Sequence, residues 1–278
     1  MTLVKSQLLF FPFDLFGHPG ARTGCELLAD AVREMLKDNR REKTPTRARA
    51  YAGKVRVEEF LFETLGDYRD WRKAAATAIA PILDSRDFLL WTTGNHLGAL
   101  PVYDLLARDH PNAVVVQFDA HLDIYDLTDT TAELSHGNFL RHLGRKPPRI
   151  VNLGHREQIL RPEAIAEFYE ATFSAAELHH DPTKALAVLD DLTRSANMVI
   201  VDVDCDVFDP AYFPGVAQPE PFGVSPAFFL RCLQSLPWQS VRGLVLSEFF
   251  PAHDERDRSL ATLLWLVEWV LLRNHEKG

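Results

Sequence analysis

A three-layer α/β/α fold around a mainly parallel central sheet is what this chain predicts. Short apolar runs of strand length alternate with amphipathic segments of helix length from one end to the other. No repeat, low-complexity tract or Pro/Gly-rich linker breaks the alternation, so residues 1–278 read as one domain.

Strands are expected at 8–12, 55–62, 88–92, 113–118, 149–153, 198–203 and 241–246. The runs at 113–118 and 198–203 are almost continuously apolar, as strands of a parallel sheet covered on both faces must be. Helices are expected at 23–37, 68–82, 97–108, 136–143, 162–169, 182–194, 226–236 and 258–273. Pro162, Pro182 and Pro226 each suit a first helical turn, where the missing N–H costs least. The last helix places Leu260, Leu263, Leu264, Val267 and Leu271 on one face, the spacing of a core stripe. Repeated strand–helix units imply helices on both faces of the sheet.

Charge and cysteine usage narrow the function classes. A net charge of −9 with no basic tail or stripe argues against a nucleic-acid partner. The apolar run at 8–11 is interrupted by Pro12 and Asp14, and the segment 260–272 contains Glu268 and is too short to span a bilayer. The three cysteines, Cys25, Cys205 and Cys232, fit neither a zinc ribbon nor a disulfide framework. A cytoplasmic protein with reduced thiols is therefore expected.

The chemistry lies at two strand ends. Asp119, His121 and Asp123 follow the run 113–118 at a spacing of two. Strand side chains alternate faces, so all three point the same way if the strand geometry persists. That end of a strand is where open α/β sheets place their sites. Asp202, Asp204 and Asp206 repeat the pattern after 198–201, with Asp202 deeper on its strand and Cys205 aimed at the opposite face. Unpaired carboxylates so placed would repel one another without a cation. His96 follows the strand 88–92 at a turn where Gly94 permits close approach. A histidine there is by itself a cap or core residue; beside two carboxylate clusters it reads as a ligand. Carboxylate oxygens mixed with imidazoles favour two Mn²⁺ ions, with Ni²⁺, Co²⁺, Fe²⁺ or Zn²⁺ as alternatives.

Five segments together resemble the ureohydrolase superfamily of arginase, agmatinase and relatives. They are Gly94-Asn95-His96, the run from Asp119 to Asp123, Ser135-His136-Gly137, the run from Asp202 to Pro210, and Ser247-Glu248 with Phe249, Phe250 and Pro251. Their order and spacing match over nearly the whole chain. The resemblance implies an arginase-like α/β fold with two manganese ions. His96, Asp119, Asp123 and Asp204 would hold one; Asp119, His121, Asp204 and Asp206 would hold the other. A hydroxide bridging the metals would attack the trigonal carbon of a guanidinium. Glu248 matches the glutamate that pairs with the guanidinium, and His136 the histidine assigned to proton transfer; with Asp123 they form the implied catalytic set. The resemblance also implies a homo-oligomer, trimer or hexamer.

Departures from the family pattern shape the substrate expectation. The family usually has aspartate and serine where this chain has Asn95 and Leu97, so a carboxylate that would orient His96 is missing. In the loop where arginases recognise the amino-acid end of arginine, Tyr125 and Ala132 replace asparagine and serine. These changes argue against arginine. Asp126, Asp129 and Glu133 would suit an amine-tailed compound such as agmatine, whereas His155 or Arg156 would receive the carboxylate of a guanidino acid. The expected activity is hydrolysis of a C–N bond in a small guanidino compound, releasing urea and an amine. Its rivals are a deacetylase-like or formimidoyl amidohydrolase and a non-catalytic family member acting as a binding subunit.

Overall fold

The computed structural model describes residues 5–42, 44, 46–126 and 133–276. Asp129 and Ala132 of the recognition loop lie outside the described residues. Eight strands form one parallel sheet: β1 (Ser6–Phe11), β2 (Val55–Glu59), β3 (Phe88–Thr93), β4 (Ala113–Phe118), β5 (Arg149–His155), β6 (Ala171–Ser174), β7 (Met198–Asp204) and β8 (Val241–Ser247). Their order is β2-β1-β3-β8-β7-β4-β5-β6. The three-layer prediction is borne out, because helices cover both faces.

Each face has its own apolar layer. On one, Leu8, Phe10, Leu90, Val116, Val201 and Leu244 meet α1 (Ala21–Asn39), α7 (Thr183–Arg194), α8 (Pro226–Ser235) and α9 (Arg258–His275). On the other, Leu9, Trp91, Val115, Ile200 and Val245 meet α3 (Trp71–Asp84) and α4 (Leu100–Asp109). The predicted stripe of the last helix faces the first layer: Leu263, Val267 and Leu271 are buried, with Leu260 and Leu264 packed beside them. No helix among the described residues is long and apolar enough to cross a membrane. Cys25, Cys205 and Cys232 are free and buried.

All seven expected strands are present, and the differences have local causes. β2 stops at Glu59. The helix expected at 68–82 is divided at Asp70 into α2 (Leu65–Arg69) and α3, because Thr64 and Asp67 form a capping box that starts α2 earlier. The segment expected as a helix at 136–143 forms only a single 3₁₀ turn, Phe139–His142. Asn138 is the reason: its Oδ1 accepts from Ser135 N–H at 2.8 Å and its Nδ2 donates to the Glu133 carbonyl at 2.8 Å, competing with helical bonding. Helix α5 is confined to Pro162–Ala166.

The unpredicted pair is β6 and α6 (Ala175–His180). Ser174 ends the strand and caps the helix, accepting from Glu177 N–H at 3.2 Å while the Glu177 carboxylate accepts from Ser174 N–H at 2.8 Å. Replacing Ser174 with alanine is expected to cost about 1 kcal/mol, seen as a melting temperature lower by about 2–4 °C. Burial opposes ionisation of Glu177, but its bonds to Ser174 hold the carboxyl below its ordinary value of 4.5. Stability from this carboxylate is fully present above pH 4.5 and is lost as pH falls through the lowered value. The gap between wild type and Ser174→Ala should therefore narrow in acid, and a constant gap in pH-resolved melts would refute the capping account.

Candidate metal centre

The ends of the four central strands, β3, β8, β7 and β4, build the site. His96 opens a 3₁₀ turn, His96–Ala99, directly after β3. Its approach requires Gly94, where a Cβ would meet the Phe13 carbonyl at 2.4 Å. The Gly94 carbonyl accepts from Glu248 N–H at 2.7 Å, joining the ends of β3 and β8. Asp123 and Glu248 both sit in the left-handed region, at φ 49° and 59°. Such backbone costs about 1–3 kcal/mol per residue and persists where the surroundings over-determine it.

The sequence-predicted ligands converge. The Nδ1 of His96 lies 3.2 Å from Asp119 Oδ2, 2.8 Å from Asp123 Oδ2 and 3.3 Å from Asp204 Oδ2. The Nδ1 of His121 lies 3.0 Å from Asp206 Oδ2 and 3.9 Å from Asp119 Oδ1. Besides His18 with His136 and Glu248, two metal-sized groups result among the described residues, His96 with Asp119 and Asp204, and His121 with Asp119 and Asp206, each with its ligand atoms within 4.8 Å of one another. Asp119 belongs to both. Backbone donors orient the carboxylates: Asp119 Oδ1 accepts from His121 N–H at 2.6 Å, Asp204 Oδ1 from Asp206 N–H at 3.0 Å, and Asp206 Oδ1 from Ala120 N–H at 3.2 Å.

The donor set fits divalent cations. His96 Nδ1 and Asp119 Oδ2 are fully buried, face each other and take part in no hydrogen bond. Burial, reinforced by the Asp123 charge, pushes the Asp119 carboxyl up to about 7. Burial with Asp206 and Asp119 likewise raises Asp204. Burial opposes protonation of His96 and His121, yet the charges of Asp202 and Asp206 respectively raise both. Crowded carboxylates that draw protons to themselves and to neighbouring imidazoles are relieved when a cation takes the protons' place.

Two contributors, Glu220 and His18, escaped the sequence reading, and a third, Asp202, has a role that reading did not assign. Asp202 is not in either ligand group; it lies beneath, 2.9 Å from His96 Nε2. Glu220 stands 3.3 Å from His121 Nε2 at the mouth. Each imidazole thus carries a carboxylate on its far nitrogen, the arrangement that fixes tautomer and ring plane in metal sites. His18, in the loop after β1, lies 3.3 Å from Glu248 Oε2, and His136 lies 3.1 Å from Glu248 Oε1, their rings edge-on at 4.5 Å. Glu248 also accepts from His96 N–H at 3.0 Å. Burial would raise the Glu248 carboxyl, but the bonds from His136 and His18 win and bring it to about 2. The alternation of Asp202 with Asp204 was a usable signal; nothing local distinguishes His18 or Glu220.

The proposed substrate residues have other occupations. Arg156 directs its Nη atoms to the carbonyls of Gly154 at 3.0 Å and Asp206 at 3.1 Å, a brace for the loop that carries Asp206. Asp126 pairs with Arg141 at 3.6 Å. His155 is buried, and burial lowers its pKa. The mouth is a cavity of about 240 Å³ lined by His121, Tyr125, Glu157, Gln158 and Glu220 among others.

A parallel sheet in this order, with two metal-sized clusters sharing one aspartate, defines the class to which the chain is assigned. The model of the arginase family matches residues 5–271, and the chain belongs to that family. It is similar to the agmatinase of Neisseria meningitidis serogroup A, at 25% identity over 96% of this chain and 86% of the relative. Similarity to the agmatinase of Cronobacter sakazakii is 23% over 96% and 87%. Among solved structures, an arginase from Bacillus subtilis superposes with a TM-score of 0.78 at 21% identity, covering 96% of this chain and 98% of that one. An agmatine ureohydrolase of Thermoplasma volcanium gives 0.75 at 18% identity, covering 98% and 90%. The two structural likenesses concern the fold; the chain is a hydrolase of the arginase family, agmatinase-like at 25% identity.

Proposed function

We propose that the protein is a binuclear manganese hydrolase that releases urea and an amine from a small guanidino compound, agmatine before a guanidino acid and either before arginine. The observation that carries this reading is the pair of His/Asp clusters sharing Asp119, set beside the buried Glu248. His96, Asp119, Asp123 and Asp204 would hold one ion, and Asp119, His121, Asp204 and Asp206 the other. Bound there, the two cations would acidify a water and offset negative charge at the carbon under attack. Glu248 stays ionised and offers a carboxylate to a planar cation. His136, bonded to that carboxylate, delivers a proton to the departing amine. Glu157 and Glu220 at the mouth favour a cationic tail, since Arg156 on the same wall is turned to the Gly154 and Asp206 carbonyls. The bracing of Arg156 on carbonyls weighs against its receiving a carboxylate.

The direct test is urea release by the Mn²⁺-reconstituted protein from agmatine, guanidinobutyrate, guanidinopropionate, guanidine and arginine, with metal content measured on the same sample. Urea from agmatine with about two metals per chain is expected. Two metals without urea would redirect the reading to a formimidoyl or acylated amine, one metal to a deacetylase-like enzyme, and none to a binding subunit. A further expectation concerns His136→Ala, which should lower kcat by about 10²- to 10⁴-fold while metal content stays at the wild-type level. An unchanged kcat would remove His136 from proton transfer.

A further inference from the structure

The sheet carries a second polar layer directly beneath the ligands. Asp202 on β7, Gln117 on β4 and Asn152 on β5 are neighbours across the sheet, with Gln117 in register with both others. Gln117 and Asp202 lie in strands that are largely apolar and buried, and Asn152 lies in the buried apolar stretch 150–153 of β5. Asp202 and Gln117 precede the ligands Asp204 and Asp119 by two residues, so they share their face one layer down. All three are fully buried.

Hydrogen bonds run along this layer without a break. His96 Nε2 meets Asp202 Oδ2 at 2.9 Å, and the same oxygen accepts from the Tyr103 hydroxyl at 2.5 Å. Tyr103 accepts from Gln117 Nε2 at 3.2 Å, and Gln117 Oε1 accepts from Asn152 Nδ2 at 3.0 Å. Asn152 Nδ2 also donates to the His121 carbonyl at 3.2 Å. The chain of bonds therefore starts at one metal-facing histidine and ends at the backbone of the other. Asn95 takes no part: its Nδ2 donates to the Leu15 carbonyl at 2.9 Å.

We infer that Asp202 is the positioning carboxylate for His96, standing in for the one this chain lacks at position 95, with Tyr103, Gln117 and Asn152 holding it in place. Accepting the Nε2 proton leaves the Nδ1 lone pair aimed at the carboxylates of Asp119, Asp123 and Asp204. The Tyr103 hydroxyl on the same carboxylate oxygen prevents Asp202 from turning away. The effect is local to the His96 ion, because His121 has its own outer carboxylate in Glu220.

This inference rests on the two-metal reading, and the test separates the two. Metal-free wild type, Asp202→Asn and Asp202→Ala are titrated with Mn²⁺ by equilibrium dialysis, with far-ultraviolet circular dichroism as a check on folding. Wild type should bind two ions. Asp202→Ala, which removes the acceptor, should weaken one of them about 10- to 100-fold and leave the other unchanged. Asp202→Asn, which keeps an acceptor oxygen without the charge, should fall between and carries the test if the alanine variant does not fold. Tyr103→Phe should shift the same ion by a smaller factor. As a control for general loosening, Thr193→Val, which removes a buried hydroxyl bonded to the Leu189 carbonyl on the opposite face of the sheet, should leave both affinities at the wild-type value. Wild-type isotherms from a folded Asp202 variant, or equal weakening of both ions, would overturn the role of Asp202 alone. A wild-type protein that binds no metal would overturn this role and the two-metal reading together.

Discussion

Replacing Asp119 with alanine is expected to abolish both metal loading and turnover, the largest single effect in this site. Asp119 belongs to both groups of proposed ligands, so its loss would damage both proposed coordination spheres at once. Losing the several kcal/mol of charge stabilisation that metals supply corresponds to a rate lower by about a thousandfold or more. The fold itself should survive. Asp119 is wholly buried among other carboxylates, and its carboxyl is pushed up to about 7 by that burial. Removing it relieves repulsion but also leaves the His121 N–H without its acceptor, so the two effects oppose each other. Metal-free Asp119→Ala should therefore melt close to metal-free wild type, while the rise in melting temperature on adding Mn²⁺ disappears. Calorimetry with and without metal, beside steady-state kinetics, tests both halves, and a variant that retains full activity after stripping and reconstitution would end the binuclear assignment.

The second large effect is expected from Glu248→Gln. The carboxylate is held by His18, His136 and the His96 N–H, and it remains ionised at neutral pH. Losing one member of a buried, hydrogen-bonded charge pair costs about 2–5 kcal/mol. With a guanidinium as its partner, kcat/KM should fall by a factor on the order of 10² to 10³. Metal content should not change, because Glu248 lies outside both ligand groups that contain Asp119. The substitution keeps the length of the side chain and the backbone at φ 59°. Equal kcat/KM for the two proteins would show that the substrate's cation is met elsewhere.

The sheet could be read from the chain because its central strands are buried on both faces, which imposes unbroken apolar runs such as Ala113–Phe118. Strand β6 lacked that signature. It is four residues long, at the sheet edge and mostly half-buried, so Ala171–Ser174 has no pattern of its own. The capping box of Ser174 and Glu177 was the available signal for the helix that follows. The expected helix from 136 failed for the converse reason: its apolar residues are real, but the Asn138 side chain ties the segment into a turn. Within the site, spacing of two brought out Asp119, His121, Asp123, Asp204 and Asp206. However, β4 ends at Phe118 and β7 at Asp204, so it is the loop after β4, with Asp123 at φ 49°, and the turn Cys205–Val207 that bring them together. Contacts between distant segments left no such mark. His18 and Glu248 are 230 residues apart, and His121 and Glu220 are 99 apart. The polar residues Gln117 and Asn152 inside apolar runs were visible, but their pairing depends on β4 and β5 being neighbours in register.

The strand order also fixes when the site can exist. The two strands that reach the centre of the sheet, β7 and β8, follow the other six in sequence. As the polypeptide leaves the ribosome, β1, β2 and β3 can pair, and so can β4, β5 and β6, but each trio then ends in a bare apolar edge, β3 or β4. Both edges are the kind that recruits a stray strand from another molecule. Only β8 against β3 and β7 against β4 close the gap, and the same closing step brings Asp204 and Glu248 to His96 and Asp119. A chain that stalls before β8 thus carries the early ligands on two unjoined half-sheets. The pairing of β7 and β8 covers both apolar edges and gathers the proposed ligands in one step.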